Sequence, residues 1–239
     1  MYKLYNDDCL KVMDNLIEEG IKVDCIITDP PYGTTRCKWD SILPIDEMWE
    51  RVDKLIKENG AIILFGIEPF SSMLRVSNIK RYRYDWIWDK GRGSDFLNSN
   101  RKPLSSHENI SIFYSKKPKY NPQFWDSTPY KTKATTYSDF YMDNFETKET
   151  VSNGKRYPLT ILKNFKMVLN KKKVHPSQKP VDLLEYLIKT YTDEGDLILD
   201  FTMGSGSTGC AAKNLNRDFI GIELDKNYFN IAKERIENI

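Results

Sequence analysis

Only two histidines, His107 and His175, and four cysteines, Cys9, Cys25, Cys37 and Cys210, occur in the 239 residues. The cysteines form no Cys-x-x-Cys pair, so no metal site is expected, and the thiols are expected to be reduced and mostly buried as small apolar groups. No apolar run approaches the roughly 18 residues of a membrane span. The first residues, MYKLYNDDCL, hold no signal-peptide hydrophobic stretch, and the expected address is the cytoplasm. Internal repeats and strongly biased polar segments are missing too, which argues against solenoids and disordered linkers. What is present is aromatic: 14 Tyr, 11 Phe and 5 Trp mark a folded chain. At this length it buries roughly 70 to 75% of its unfolded surface without disulfide or metal.

Charge is nearly balanced, 36 Lys+Arg against 34 Asp+Glu, yet it is unevenly placed. Residues 75 to 175 hold 21 basic and 9 acidic side chains, a net +12, and the remainder is −10. Basic residues of the middle interleave with aromatics, as in Arg81-Tyr82-Arg83-Tyr84 and Lys116-Lys117-Pro118-Lys119-Tyr120. That pattern suits phosphate neutralisation with stacking on bases, and it suits an ordinary solvated basic face as well.

Two regions alternate strand-like apolar runs with helical spacing. In the first, strands are predicted at Tyr2 to Tyr5, Val23 to Thr28 and Ala61 to Phe65, and helices at Cys9 to Glu18, Ile45 to Glu58 and Glu68 to Ser77. In the second, helices are predicted at Pro180 to Thr192, Thr208 to Leu215 and Lys226 to Ile239, with strands at Asp196 to Asp200 and Phe219 to Leu224. This alternation predicts a parallel sheet with helices on both faces. Arg83 to Trp88 and Asn109 to Tyr114 read as further strands, with Gly91 to Pro103 a loop between them, while 117 to 170 has no clear period and reads as an insert.

Residues 196 to 209 place Gly204, Gly206 and Gly209 in Gly-x-Gly-x-x-Gly order between a strand and a helix, with Glu223 at the end of the next strand. Alone the glycine pattern is weak. With strand, helix and acid in this order it makes a nucleotide-binding unit, in which the loop approaches a ligand and Glu223 accepts from ribose hydroxyls. Only 30 residues follow Gly209, too few to complete a doubly wound sheet, so the flanking strands must come from the N-terminal half. The fold is therefore circularly permuted, and Asp8 and Asp29 fall at the same carboxyl edge as the glycine loop.

Asp29-Pro30-Pro31-Tyr32 directly follows the strand Val-Asp-Cys-Ile-Ile-Thr. Two prolines fix two φ angles and donate no backbone hydrogen bond. The turn offers two rigid acceptors, the Asp29 carboxylate and the Pro30 carbonyl, beside an aromatic ring, which suits an exocyclic amino group. A bare turn that happens to end a strand is the bland reading, and it weakens once a cofactor loop is expected at the same edge.

In this order, Asp-Pro-Pro-Tyr, the Asp-Phe-Thr-Met-Gly-Ser-Gly-Ser loop and His175-Pro-Ser-Gln-Lys-Pro180 resemble the amino-group DNA methyltransferases of the β arrangement. The resemblance extends to Asn6-Asp7-Asp8-Cys9-Leu10 and His107-Glu108-Asn109-Ile110 and leaves out only about 115 to 170. It implies a permuted Rossmann-like, mostly parallel seven-stranded methyltransferase fold. Residues 1–115 would form the catalytic half, 116–172 a target-recognition insert and 173–239 the S-adenosylmethionine half. The catalytic residues it implies are Asp29, Pro30, Pro31 and Tyr32. Around S-adenosylmethionine it implies Asp8 and Cys9 near the adenine and Glu223 on the ribose. His175, Ser177 and Lys179, with Gly204, Ser205, Gly206, Ser207 and Thr208, surround the methionine part, and Asp29, Asp200, Phe201 and Thr202 complete the set. One departure is that Phe201 follows Asp200 directly and Thr202 stands where many members carry the aromatic ring.

The implied reaction is methyl transfer to adenine N6 of a base flipped from double-stranded DNA. Asp rather than Ser at position 29 favours adenine over cytosine N4. Cytosine-N4 methylation is the nearest alternative and methylation of RNA or of a protein amide a more distant one. A non-catalytic nucleotide-binding module would be expected to have lost Asp29 or the glycines, and the sequence offers no clear hydride-transfer partner for an NAD-dependent dehydrogenase. Lys90, Arg92, Arg101 and Lys102 are the candidate DNA contacts, with Lys171-Lys172-Lys173 the next choice. A homodimer and a cognate restriction endonuclease are admitted as partners, and no membrane is.

Overall fold

The computed structural model describes residues 2–33, 42–134, 136–137, 145–146, 148–168 and 173–239. In chain order the elements are β1 (Tyr2–Tyr5), α1 (Cys9–Glu18), β2 (Val23–Thr28), α2 (Ile45–Leu55), β3 (Ile56–Gly66), α3 (Phe70–Ser77), β4 (Tyr82–Ser94) and β5 (Ser105–Phe113). Short strands follow: β6 (Trp125–Asp126), β7 (Tyr130–Thr132), β8 (Thr136–Tyr137), β9 (Phe145–Glu146), β10 (Thr150–Ser152), β11 (Lys155–Arg156) and β12 (Ile161–Leu162). The chain closes with α4 (Val181–Tyr191), β13 (Leu197–Asp200), α5 (Ser207–Asn214), β14 (Asp218–Ile222) and α6 (Lys226–Glu237).

The main sheet runs β1-β14-β13-β2-β3-β5-β4-β12. Its pairings are parallel from β1 through β3, antiparallel on both sides of β5, and parallel again at β12. The C-terminal strands β13 and β14 are thus flanked by the N-terminal β2 and β1, the circular permutation expected from the sequence. The strand count is eight rather than seven because the two residues of β12 pair with Ile87 and Trp88 at the edge.

Burial on both faces follows from the strand period. Along β2 and β3, Cys25, Ile27, Ala61, Ile63 and Phe65 enter one core with α4, α5 and α6, and Ile26, Ile62 and Leu64 enter the other with α1, α2 and α3. Val23 joins the same core as Ile26, and the register shifts beside it: Val23 pairs with Ile56 but Cys25 pairs with Ala61. Helix α1 shows the local logic. Asp8 caps it, its Oδ1 accepting from the N–H of Leu10 and Lys11 at 2.9 and 3.2 Å. Cys9, Val12, Met13 and Leu16 form the buried stripe.

Several predicted bounds change. The helix expected to reach Glu58 ends at Leu55, because Ile56 pairs with Val23 and β3 begins there. The loop expected at Gly91 to Pro103 is partly strand: β4 continues to Ser94 through a register shift after Asp89, and Ser94 pairs with Ser105.

Backbone contacts divide the chain into two compact units, 1–121 with 160–239, and Pro122–Leu159. The second is thus narrower than the predicted insert of 116–172. Residues up to 121 stay with the first unit, where Lys119 meets Asp193 and Asp196 at 2.9 and 2.8 Å and Asn121 donates its N–H to Thr190. The second unit consists of the antiparallel pairs β10·β7, β11·β6 and β8·β9, with exposed Phe124, Trp125, Tyr130 and Tyr157. No described helix is long and apolar enough to cross a membrane. Cys9, Cys25 and Cys210 are free and buried, and Cys37 lies outside the described residues. Among the described residues no three His, Cys, Asp or Glu side chains gather as a metal site.

Candidate active site

Strands β2, β13 and β14 end at one edge of the sheet, and a cavity of about 550 Å³ opens there. It is lined by Asp8 and Cys9 from the start of α1, by Thr28 to Tyr32 after β2, and by Asp200 to Ser205, Ser207 and Thr208 after β13. Glu223 after β14 and His175, Ser177 and Lys179 before α4 also line it. All the residues predicted around the cofactor and at the reacting turn therefore share one cavity wall, except Gly206.

Gly206 has a different task. Its φ of +76° suits glycine, and a side chain there would stand 2.9 Å from the Cβ of Ala232 on α6. It seats the loop on α6, which also sends Arg235 to the carbonyl and hydroxyl of Ser205. Glu223 clamps the front of the loop, Oε2 accepting the N–H of Gly204 at 2.9 Å and Oε1 that of Asp225 at 2.8 Å. Asn6 in turn holds the carbonyl oxygens of Glu223 and Leu224. Burial lifts the Glu223 carboxyl above its ordinary value.

The two motifs are joined by a run of hydroxyls that the sequence did not disclose. Thr28 donates to Asp200 Oδ1 at 2.8 Å and shares a 2.6 Å hydrogen bond with Thr202, whose hydroxyl reaches the carbonyl of Asp29 at 3.2 Å. Burial pushes the Asp200 carboxyl up to about 6. Thr202 thus bridges to the Asp29–Tyr32 turn from the place where an aromatic ring is common, while Phe201 is almost fully buried in the core of α1, α2 and α3.

Asp29 is the most constrained side chain here. Its Oδ1 accepts from the Tyr32 hydroxyl, and its Oδ2 accepts from Lys179 Nζ at 2.5 Å. The Tyr32 ring packs on Phe70, centroids 5.1 Å apart. Lys179 also meets Glu108 Oε2 at 3.2 Å and lies over the Phe65 ring. Burial alone would lower the Lys179 ammonium, but the carboxylates of Asp29 and Glu108 outweigh it and hold the charge above the ordinary lysine value. His175 takes the N–H of Ser177 on Nδ1 at 3.2 Å, which assigns its proton to Nε2, and its ring meets Tyr228 edge-on at 4.1 Å. Burial first, and then Lys179, lower it to about 4, so it is neutral at physiological pH. The Cys9 thiol is pushed up to about 12 by burial and stays protonated.

The basic candidates scatter. Lys90 is corrected: it is only 6% exposed, with Nζ 3.7 Å from Glu108 and 3.3 Å from Ser94, so it faces inward from β4. Lys102 is exposed but paired with Asp95 at 2.6 Å. Arg92 and Arg101 are exposed on either side of the β4–β5 connection, whose tip carries Phe96 and a fully exposed Leu97. Lys171 and Lys172 lie outside the described residues; Lys173 donates to the carbonyl of Pro176.

A family model described as DNA methylase matches residues 23–234. The chain belongs to the N6/N4 DNA methyltransferase family. This methyltransferase is 31% identical over 256 residues to the Type II methyltransferase M.HpaI of Haemophilus parainfluenzae, with 99% of this chain and 74% of the relative covered. It is 29% identical to the Type II methyltransferase M1.MboII of Moraxella bovis, covering 96% and 94%. Among solved structures the M1.HpyAVI–SAM complex superposes with a TM-score of 0.71 at 26% identity, 99% of each chain covered. The cytosine-N4-specific PvuII DNA methyltransferase shares the fold, with a TM-score of 0.67 at 16% identity, 98% of this chain and 87% of that one covered.

Proposed function

We propose that this DNA methyltransferase moves a methyl group from S-adenosylmethionine to the exocyclic N6 of an adenine flipped out of double-stranded DNA. The observation that carries the reading is the meeting of Asp29 and the glycine loop in one cavity, joined through Thr28 and Thr202. S-adenosylmethionine supplies an electrophilic methyl group on a sulfonium. The cavity suits such a molecule: its volume lies in the small-ligand range, and the Glu223 carboxylate keeps acceptor capacity beyond its two backbone donors. Asp8 and Cys9 would border the adenine, and the 204–208 loop with His175, Ser177 and Lys179 the methionine part. A neutral His175 adds no positive charge against a sulfonium.

Adenine N6 is a weak nucleophile because its lone pair is delocalised into the ring. Asp29 and the Pro30 carbonyl would accept its two N–H groups, localise the pair and stabilise the positive charge that develops on nitrogen. Oδ2 is held by Lys179, and Oδ1 is the oxygen that the amine would take over from the Tyr32 hydroxyl. Released from Asp29, Tyr32 keeps its ring at the cavity wall to stack on the base, offsetting part of an unstacking cost of a few kcal/mol. No covalent bond to the protein is required. Asp at position 29, where Ser is commoner among cytosine enzymes, supports adenine.

For the duplex we assign Arg92 and Arg101 as phosphate contacts, with Phe96 and Leu97 between them as the apolar tip that enters the helix. The 122–159 unit, with its exposed aromatics among Lys131, Lys155 and Arg156, reads as the target-recognition element. The test is methylation of plasmid DNA with single-molecule sequencing of the product. N6-methyladenine in one sequence context is expected. N4-methylcytosine would replace the target base, and unmodified DNA beside methylated RNA or protein would overturn the reading.

A further inference from the structure

Four charges of alternating sign lie in a row behind the reacting turn: Asp29, Lys179, Glu108 and Lys90, at successive separations of 2.5, 3.2 and 3.7 Å. Their side chains are between 6 and 18% exposed. Such a row is a poor device for stability, because desolvating buried ions costs about as much as their attraction returns. It does fix geometry. Lys179 alone with Asp29 could straddle both carboxylate oxygens. Glu108, 3.2 Å away on β5, draws the ammonium aside, and Lys179 holds Oδ2 while Oδ1 faces Tyr32. Glu108 Oε2 has no hydrogen-bond partner of good geometry and contributes through its charge. Lys90 on its other oxygen brings the row to zero net charge.

We propose that Glu108 is a positioning residue for methyl transfer: from β5 it keeps Lys179 on one oxygen of Asp29 and so leaves the other oxygen to the target amine. The inference rests on the reading of Asp29 as the amine's acceptor. Among the described residues, the other titratable groups facing the row are Tyr32 on Asp29, Asp200 behind it, and Lys173 and His175 beside Lys179, with Arg92 near Lys173. None of them supplies a second carboxylate to Lys179.

The test is Glu108→Gln, which keeps shape and removes charge. A misplaced Asp29 oxygen should lower kcat by about 100-fold, with S-adenosylmethionine affinity and the KM for DNA nearly unchanged. The alkaline limb set by Lys179 should move to lower pH, because Lys179 loses one of its two carboxylates. Glu108→Asp should restore the profile and most of kcat. Wild-type kcat and profile in Glu108→Gln, or equal losses in both variants, would overturn the inference. An inactive wild-type protein would instead overturn the reading of Asp29.

A measurement on the protein without cofactor covers the case where Glu108→Gln does not fold. In Asp29→Asn labelled with 13C at lysine Cε, Glu108 is the carboxylate that remains on Lys179. Lys179 should still titrate above the other lysines, and titration together with them would overturn the inference.

Discussion

The two ends of the cavity are held in different ways. At the reacting end Asp29 is fixed by charge and hydroxyl, with Lys179 on one oxygen and Tyr32 on the other. At the glycine-loop end Glu223 grips backbone N–H groups, and Gly206 and Arg235 seat the loop on α6. Charged partners at one end suit a group whose electron density must be aimed. Backbone clamps at the other suit a surface that must keep its shape around a bound molecule. Changes at the first end should therefore cost turnover, and changes at the second should cost affinity or stability.

The largest effect is expected from Asp29→Ala, which should lower methyl transfer by about 1,000-fold or more while DNA and S-adenosylmethionine still bind. Single-turnover assays beside calorimetry check this. Glu223→Ala should weaken S-adenosylmethionine binding by about 1.5 to 3 kcal/mol through loss of the proposed ribose contacts and a loosened Gly204. Unchanged affinity in a folded variant would dissolve the contrast between the ends.

Stability against pH sharpens the same contrast. His175 lies below its ordinary 6.5, at about 4, so its contribution is complete above pH 6.5 and is lost as pH falls toward 4. Asp200 has the opposite sign: raised to about 6, it favours the folded state at low pH and loses that contribution as pH rises through 6. His175→Asn should remove the first term, which is worth about 3 kcal/mol at its full extent. Its Tm relative to wild type should therefore improve steadily from pH 7 to pH 4.5. A constant difference would contradict the neutral histidine.

Gly206→Ala should cost about 2 kcal/mol, from the left-handed φ and the contact with Ala232, measured by urea unfolding. The smallest effect belongs to the outer surface. Arg92→Ala with Arg101→Ala should reduce the slope of log K against log salt by about 1.8, and an unchanged slope would move the duplex elsewhere.

What the sequence disclosed follows from locality. Asp29-Pro30-Pro31-Tyr32, the glycine loop and the cap at Asp8 are set by neighbours a few residues apart, and the strand-helix alternation is likewise a local pattern. The row behind Asp29 was hidden because its members come from distant parts of the chain: Lys179 lies 150 residues from Asp29, and nothing local separates a buried Lys90 from an exposed Arg92. The extension of β4 to Ser94 was missed for a related reason, since the register shift after Asp89 depends on its partner strand. Glu108 stood within a recognised tetrapeptide, yet its role appears only once β5 is laid beside β4.

The central claim, that charge aims the reacting end and backbone shapes the cofactor end, is tested most directly by single-turnover rates and S-adenosylmethionine affinities of Asp29→Asn and Glu223→Gln measured side by side. Asp29→Asn is expected to lose the rate and keep the affinity, while Glu223→Gln loses affinity and, at saturating cofactor, keeps a rate close to wild type. A Glu223→Gln enzyme that is slow at saturation, or an Asp29→Asn enzyme that reacts at the wild-type rate, would contradict that claim.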